Sequence, residues 1–139
     1  MNASIAEIVK AQGWGYFRSL EKRVIREVSL EDDEVIAPGG GAVLDPENVR
    51  RLKENGLIFW LTAPCDILLE RMKGDPKTKI NRPTLTGKGT LDEFRDVYQA
   101  REPLYEAAAE MKLDTSTLTV DEVVQRVVTI LREKGIGGT

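Results

Sequence analysis

The sequence contains no histidine and a single cysteine, Cys65, among its 139 residues. Without histidine there is no Ser-His catalytic triad, no imidazole base and no histidine-ligated metal. One cysteine excludes an internal disulfide and the cysteine-rich type of zinc site. Chemistry must therefore come from carboxylates, arginines, lysines, hydroxyls and backbone N–H groups. That set suits phosphoryl transfer or anion binding better than hydrolysis.

Long apolar runs and a large excess of one charge are also absent. The apolar stretches are far shorter than a membrane span, and the net charge is −3 with both signs well mixed. These features argue against a membrane span and against a nucleic-acid-binding surface. The length and the 41% of apolar residues predict one domain spanning residues 1–139. The start lacks a basic-then-apolar leader pattern and the lone thiol fits a reducing compartment, so we expect a cytoplasmic protein.

Capping signals and hydrophobic periodicity predict helices that alternate with short strands. Helices are expected from Ser4, over residues 14–29, from Asp45-Pro46 to Gly56, from Pro64, from Thr90, and from Thr119 to Gly135. The helix from Thr90 should kink or end at Pro103. Strands are expected at residues 35–37, 57–62 and 111–114, and the middle one, being continuously apolar, should be covered on both faces. The alternation predicts an α/β fold with a parallel sheet.

A triplet of glycines, Gly39, Gly40 and Gly41, follows the first predicted strand. Glycine has no Cβ, so a ligand can approach the backbone N–H groups at this end of a parallel sheet, where α/β proteins bind their ligands. The alternative is a tight turn with no binding role. A phosphate loop is excluded, because the pattern G-x-x-x-x-G-K-[ST] occurs nowhere in the chain.

Four arginines stand where anion binding is conceivable: Arg18, Arg71, Arg82 and Arg101. A guanidinium group holds a carboxylate or phosphate through two parallel hydrogen bonds, which lysine cannot do. Arg82 lies in a polar stretch, residues 74–89, that is too long for a plain connector. Each arginine taken alone is equally compatible with a solvated surface position.

The triplet and these arginines, in this order, resemble the shikimate kinase family. The resemblance rests on "SIAEI" (4–8), "FR" (17–18), "GGGAVLDPENVRRLKENG" (39–56), "LIFWLTA" (57–63), "LLER" (68–71), "NRP" (81–83), "REPLY" (101–105) and "LDTS" (113–116). It implies a P-loop kinase-like fold, with a five-stranded parallel sheet and helices on both faces. It also implies transfer of the γ-phosphoryl group of ATP to the 3-hydroxyl of shikimate, with Mg²⁺.

The resemblance further implies roles for individual residues. Arg18 and Arg101 would hold the shikimate carboxylate. The full set expected to bind shikimate is Phe17, Arg18, Gly39, Gly40, Gly41 and Arg101. Arg71, Arg82 and Thr115 would lie near the nucleotide. Arg82 would also act in catalysis, carried by a mobile lid of about residues 74–90.

The chain departs from the family pattern ahead of "SIAEI". The family's first two strands, its phosphate loop and its acidic Mg²⁺ ligands should come there, whereas this chain has only Met1, Asn2 and Ala3. We therefore expect the first two of the five strands to be missing and the chain alone to be inactive. Because unpaired strand edges can pair with another chain, we expect self-association. A compact monomer in sedimentation would contradict this expectation. Pro38 also removes one backbone donor beside the triplet.

Two other interpretations stay open. The chain is alternatively a non-catalytic binding module or degraded paralogue that keeps an arginine pocket for a small carboxylate. A different P-loop small-molecule kinase is a third possibility, against which "GGGAV" and "REPLY" argue.

Overall fold

The computed structural model describes residues 3–75 and 90–136, which form six α-helices, a short 3₁₀-helix and two strands. In chain order these are α1 Ile5–Gln12, α2 Trp14–Val28, the 3₁₀-helix Gly40–Leu44, α3 Pro46–Glu54, β1 Phe59–Thr62, α4 Cys65–Lys73, α5 Thr90–Ala108, β2 Met111–Asp114 and α6 Val120–Glu133. Helices and parallel strands alternate from α3 onward, which confirms the predicted α/β class. Most of the predicted lid and its Arg82 lie outside the described residues.

Local capping determines where three of the helices begin. Ser4 Oγ accepts a hydrogen bond from the Glu7 N–H (3.1 Å), and Asp45 Oδ1 accepts one from the Glu47 N–H (2.9 Å), with Pro46 at the first helical position. At α6, Thr119 and Glu122 form a reciprocal capping box. These side chains satisfy N–H groups that have no partner inside the helix. The three starts are therefore where the sequence predicts them.

The sheet consists of β1 and β2 paired in parallel, in register from Phe59 opposite Met111 to Thr62 opposite Asp114. Beyond the last pair, the Thr115 N–H donates to the Thr62 carbonyl at 2.8 Å. The expectation that β1 is covered on both faces is wrong, because Leu61 is 51% exposed. Trp60 and Thr62, which point to the opposite face, are partly buried.

The strand predicted at residues 35–37 does not form. This segment is irregular, and Val35 is 99% exposed. A strand exists only when its backbone pairs with a neighbour, and within the described residues β1 pairs with β2 alone. The apolar run alone is therefore not sufficient for a strand at residues 35–37.

Pro103 does not end α5, which continues through it to Ala108. The missing N–H removes one helix hydrogen bond. Packing of the following turn offsets that loss, because Ala108 is 3% exposed and the Tyr105 ring lies against Trp60 of β1 at 5.7 Å between centroids. None of the helices in the described parts of the chain is long and apolar enough to cross a bilayer.

Buried apolar side chains are few in the described residues, and they come from several elements. They are Ile25, Ala42, Ala63, Met72, Ala108 and Leu113. These residues lie on α2, the 3₁₀-helix, the sheet end, α4, α5 and β2. The buried side chains therefore come from the glycine segment, residues 39–44, from the helix before it, and from the sheet and helices after it.

An ionic network fixes α2 against the start of α3. Lys22 Nζ lies 2.8 Å from Glu47 Oε2 and 3.2 Å from Asp45 Oδ2, and Arg51 Nε lies 3.3 Å from Glu47 Oε1. The hydrogen bonds from Lys22 and then Arg51 lower the pKa of Glu47. Those to Glu47 and Asp45 raise the pKa of Lys22. The network holds Arg18, four residues before Lys22 on α2, near the glycine segment.

Acid should weaken this link through Glu47. The pKa of Glu47 in the folded chain lies below its ordinary value of 4.5. The stabilisation it provides is therefore complete above about pH 4.5 and is lost as the pH falls through the folded-state pKa. We expect Glu47→Gln to lower Tm at about pH 6, with the difference from the unsubstituted chain shrinking towards about pH 3.

Glu70→Gln is the matched control, because the Glu70 side chain is 76% exposed and, among the described residues, its ion pair is with Lys73 on the same helix at 3.8 Å. It should leave Tm almost unchanged at every pH. A Glu47→Gln effect that is the same size across the pH range would contradict a role for the ionised carboxylate.

Candidate active site

The glycine segment, residues 39–44, is held by its carbonyl groups. The Gly39 carbonyl accepts from the Ala42 N–H at 3.0 Å, and the Ala42 carbonyl accepts from Asn48 Nδ2 at 3.1 Å. Asn48 is 2% exposed, so this second bond is an internal one. Within the described residues, the N–H groups of Gly40 and Gly41 donate to no other group. Two backbone donors at the start of the 3₁₀-helix thus remain available.

Arg18 of α2 lies directly on Gly41. A Cβ placed on Gly41 would be only 2.5 Å from Arg18 Cζ, and it would also collide with both terminal nitrogens of the guanidinium. The guanidinium is held by Glu21 (Nη1–Oε1 3.0 Å) and lies 5.1 Å from the Trp14 ring centroid and 5.5 Å from that of Phe17. Aromatic faces attract cations. Arg18 is therefore oriented before any ligand arrives.

Arg101 and Tyr105 of α5 approach the neighbouring glycine. A Cβ on Gly40 would lie 2.9 Å from Tyr105 Oη and 3.8 Å from Arg101 Nη1. Tyr105 Oη donates to the Gly40 carbonyl at 2.9 Å. Arg101 is half-buried, and no hydrogen bond or ion pair joins it to any described residue. A partly buried cation that has no counter-ion among the described residues favours an anionic ligand.

The predicted shikimate-binding residues are thus brought together around Gly40 and Gly41. Phe17 is half-buried and packs edge-to-face on Trp14, with 5.7 Å between centroids. Gly39 has a different neighbour, because a Cβ there would lie 3.5 Å from Glu21 Oε2, at ordinary contact distance. Two guanidinium groups, two free N–H groups and an aromatic wall can hold a small carboxylate with an apolar ring.

Arg71 and Thr115 form a second cluster at the end of the sheet. Arg71 Nη1 donates to Thr115 Oγ1 and Nη2 to the Thr115 carbonyl, both at 2.8 Å. Thr115 is 7% exposed, and its hydroxyl donates to the Thr62 carbonyl at 3.1 Å. Beside it, hydrogen bonds from Ser116 lower the pKa of Asp114. No hydrogen bond between described residues joins this cluster to Arg18 or Arg101.

The sequence predictions missed several residues of the first cluster. Glu21, Trp14 and Tyr105 all contact its arginines or glycines, and Asn48 fixes its backbone. Three of these had a detectable signal, because Trp14 precedes Arg18 by four residues, Glu21 follows Arg18 by three and Tyr105 follows Arg101 by four, the spacings that place side chains on one helix face. No group of three or more acidic or cysteine side chains in the described residues could hold a metal ion.

Comparison with known proteins identifies relatives over nearly the whole chain. The family model "Shikimate kinase" matches residues 1–132. "Shikimate kinase 2" of Yersinia enterocolitica is 38% identical over 136 residues, covering 98% of this chain and 76% of the relative. "Shikimate kinase 2" of an Enterobacter species is 42% identical over 129 residues, covering 93% of this chain and 72% of the relative.

Solved structures give the same result. "Shikimate kinase from Acinetobacter baumannii in complex with shikimate" superposes with a TM-score of 0.84 at 27% identity, covering 97% of this chain and 73% of that one. The shikimate kinase from Aquifex aeolicus superposes with a TM-score of 0.70 at 27% identity, covering 96% and 73%. The fold of this chain is thus similar to that of P-loop kinases.

Gly41→Ala should displace Arg18 while leaving the fold intact. The atoms that a Cβ would meet belong to the end of a flexible side chain, so we expect a loss of stability below about 1.5 kcal/mol, the cost of a strained rotamer. The guanidinium should move off Trp14. The indole N–H resonance of Trp14 should therefore shift in ¹⁵N–¹H spectra, while that of Trp60 stays in place.

Gly39→Ala is the control, because a Cβ there meets only Glu21 Oε2 at ordinary distance. It should leave both indole resonances nearly unchanged. Equal Trp14 shifts in the two variants would show that close approach to Gly41 does not fix Arg18.

Proposed function

This chain belongs to the shikimate kinase family, and we propose that its Gly39–Gly41 segment, Arg18 and Arg101 form the shikimate-binding side of the active site. The observation that carries the proposal is the Arg101 guanidinium, which makes no ion pair with any described residue and lies beside Gly40 while Arg18 lies beside Gly41. Two cations on adjacent glycines select a small ligand with a carboxylate.

Each group has a part in holding shikimate. Arg18 and Arg101 bind the carboxylate, and the backbone of Gly40 and Gly41 lies against the same ligand, while Tyr105 and Arg18 fill the space that a Cβ would take at these glycines. Phe17 supplies an apolar wall for the ring. Since Glu21 and the aromatic rings already orient Arg18, little ordering entropy is lost when the substrate binds.

The reaction proposed is transfer of the ATP γ-phosphoryl group to the shikimate 3-hydroxyl, in the cytoplasm. The family uses ATP together with Mg²⁺, and the metal ion would neutralise and align the transferring phosphates of ATP. Arg71 lies on the nucleotide side, positioned by Thr115, and Arg82 is proposed to reach the transferring phosphates. The sequence contains no G-x-x-x-x-G-K-[ST] pattern. The phosphate contacts proposed within these 139 residues are therefore those of Arg71 and Arg82, and no Mg²⁺ ligand is proposed among them.

A second candidate is a module that binds shikimate or a similar carboxylate without catalysis. The arginine site supports it, because two guanidinium groups hold a carboxylate without a nucleotide. The two candidates share the arginine site and differ in phosphoryl transfer, so one binding experiment and one activity experiment separate them.

The 139-residue chain should bind shikimate in isothermal titration calorimetry, and Arg18→Ala and Arg101→Ala should each raise Kd at least about tenfold. Hydrogen bonds to charged groups contribute about 1.5–3 kcal/mol, which corresponds to that loss. Arg23→Ala on α2 and Arg95→Ala on α5 are the controls, because both residues are exposed on the same two helices. Binding that survives both site substitutions would refute the assignment.

The 139-residue chain with no segment fused to it, called here the unfused chain, should show no shikimate-dependent ADP release. Even one lost preorganised donor costs about 10²–10³ in rate.

A chimera with the phosphate-loop segment of the Yersinia enterocolitica relative ahead of Ala3 should gain turnover. Arg82→Lys in the chimera should lower kcat more than it changes the shikimate KM. Turnover by the unfused chain at about 1–100 s⁻¹ would contradict the proposal. A chimera that binds shikimate without turnover would favour the binding module.

A further inference from the structure

Tyr105 connects the helix that carries Arg101 to the glycine segment. Its hydroxyl donates to the Gly40 carbonyl at 2.9 Å across 65 residues of sequence. Arg101 and Tyr105 are four residues apart on α5 and therefore lie on one face, one turn from each other. Both reach the side of Gly40 where a Cβ would stand, at 3.8 Å and 2.9 Å. The position of Tyr105 thus fixes that of Arg101 relative to the glycine backbone.

The Tyr105 ring is itself fixed by the sheet and by its own helix. It packs on Trp60 of β1 at 5.7 Å and on Tyr98 at 5.9 Å between centroids. Tyr98 in turn makes a hydroxyl hydrogen bond with Thr62 Oγ1 at 3.0 Å, and it stacks on Phe94 at 5.5 Å. The ring contacts determine where the Tyr105 hydroxyl points. The hydroxyl therefore provides a defined attachment for Gly40.

The two arginines of the site reach it from different elements. Arg18 comes from α2, which the Lys22 network holds to α3, whereas Arg101 comes from α5, which packs on the sheet. The separation between the two guanidinium groups depends on how α5 is placed against the glycine segment. Among the described residues, a side-chain hydrogen bond joins those two elements from Tyr105 Oη to the Gly40 carbonyl.

We propose that Tyr105 is a positioning residue for the carboxylate site, which sets Arg101 at the distance from Arg18 that a single carboxylate requires. This inference rests on the proposed function. Tyr105 acts through Gly40 and Arg101 and does not itself bind the substrate. Since a misplaced donor loses its hydrogen bond to the ligand, the effect should appear in shikimate affinity.

Tyr105→Phe tests the proposal because it keeps the ring contacts and removes only the hydroxyl. We expect the shikimate Kd of the 139-residue chain to rise about threefold to tenfold, the range for one neutral hydrogen bond. Tyr98→Phe is the matched control, since it removes the other hydroxyl of the same aromatic cluster, whose partner is Thr62. It should change the Kd by less than about twofold while lowering Tm by as much as Tyr105→Phe does.

A double-mutant cycle with Arg101→Lys separates positioning from a general structural effect. Lysine keeps the charge but loses the fixed fork of donors, so binding stays measurable while the geometry that Tyr105 sets no longer matters. In the Arg101→Lys background, Tyr105→Phe should change the Kd by less than about twofold. Equal effects in both backgrounds, or an effect of Tyr98→Phe as large as that of Tyr105→Phe, would overturn the proposal.

Failure of the proposed function gives a different result. An unsubstituted chain that does not bind shikimate would contradict the function and this inference together. An unsubstituted chain that binds shikimate while Tyr105→Phe binds it equally well would contradict the inference alone.

Discussion

The contact between the Arg18 guanidinium and the bare backbone of Gly41 is the constraint on which the rest of the site depends. Gly41 is not in the left-handed region, since only Gly13 and Gly135 among the described glycines have positive φ. Glycine is required here for space and not for backbone freedom, because any Cβ would collide with the guanidinium. The contact in turn requires α2 to keep one distance from the glycine segment, which the Lys22 network maintains.

Features coded within four residues of sequence could be predicted, and features that need a distant partner could not. The N-caps at Ser4, Asp45 and Thr119 are local side-chain-to-backbone hydrogen bonds, so the sequence contains everything they need. The strand expected at residues 35–37 needs a neighbouring strand, and its apolar pattern says nothing about whether one is available. The exposure of Leu61 has the same origin, since burial of a strand depends on what covers the sheet.

The site was predictable by a different route. Each arginine alone was equally compatible with a surface position, and only the order of segments along the whole chain indicated that Arg18 and Arg101 meet at the triplet. The residues that hold this meeting in place, Tyr105 in "REPLY" and Asn48 in "GGGAVLDPENVRRLKENG", lie inside those segments, but the sequence does not indicate which backbone groups they bind. Tyr105 binds a carbonyl 65 residues away, and Asn48 binds the Ala42 carbonyl from inside the core. Every residue has a backbone carbonyl, so the sequence does not indicate which carbonyl accepts a hydrogen bond from a distant side chain.

The two arginine clusters differ in how their hydrogen-bonding capacity is used. Thr115 accepts one hydrogen bond from each terminal nitrogen of Arg71, so that this guanidinium is anchored at the end of the sheet and keeps three of its five N–H donors. Arg101, by contrast, has no acceptor among the described residues, so none of its donors is used there. A guanidinium with a free pair of donors can hold one planar carboxylate through two parallel hydrogen bonds, whereas an anchored guanidinium offers a charge in a fixed place. The two arginines therefore differ in what they offer a ligand: Arg101 offers directed hydrogen bonds, and Arg71 offers a charge that the protein has already positioned.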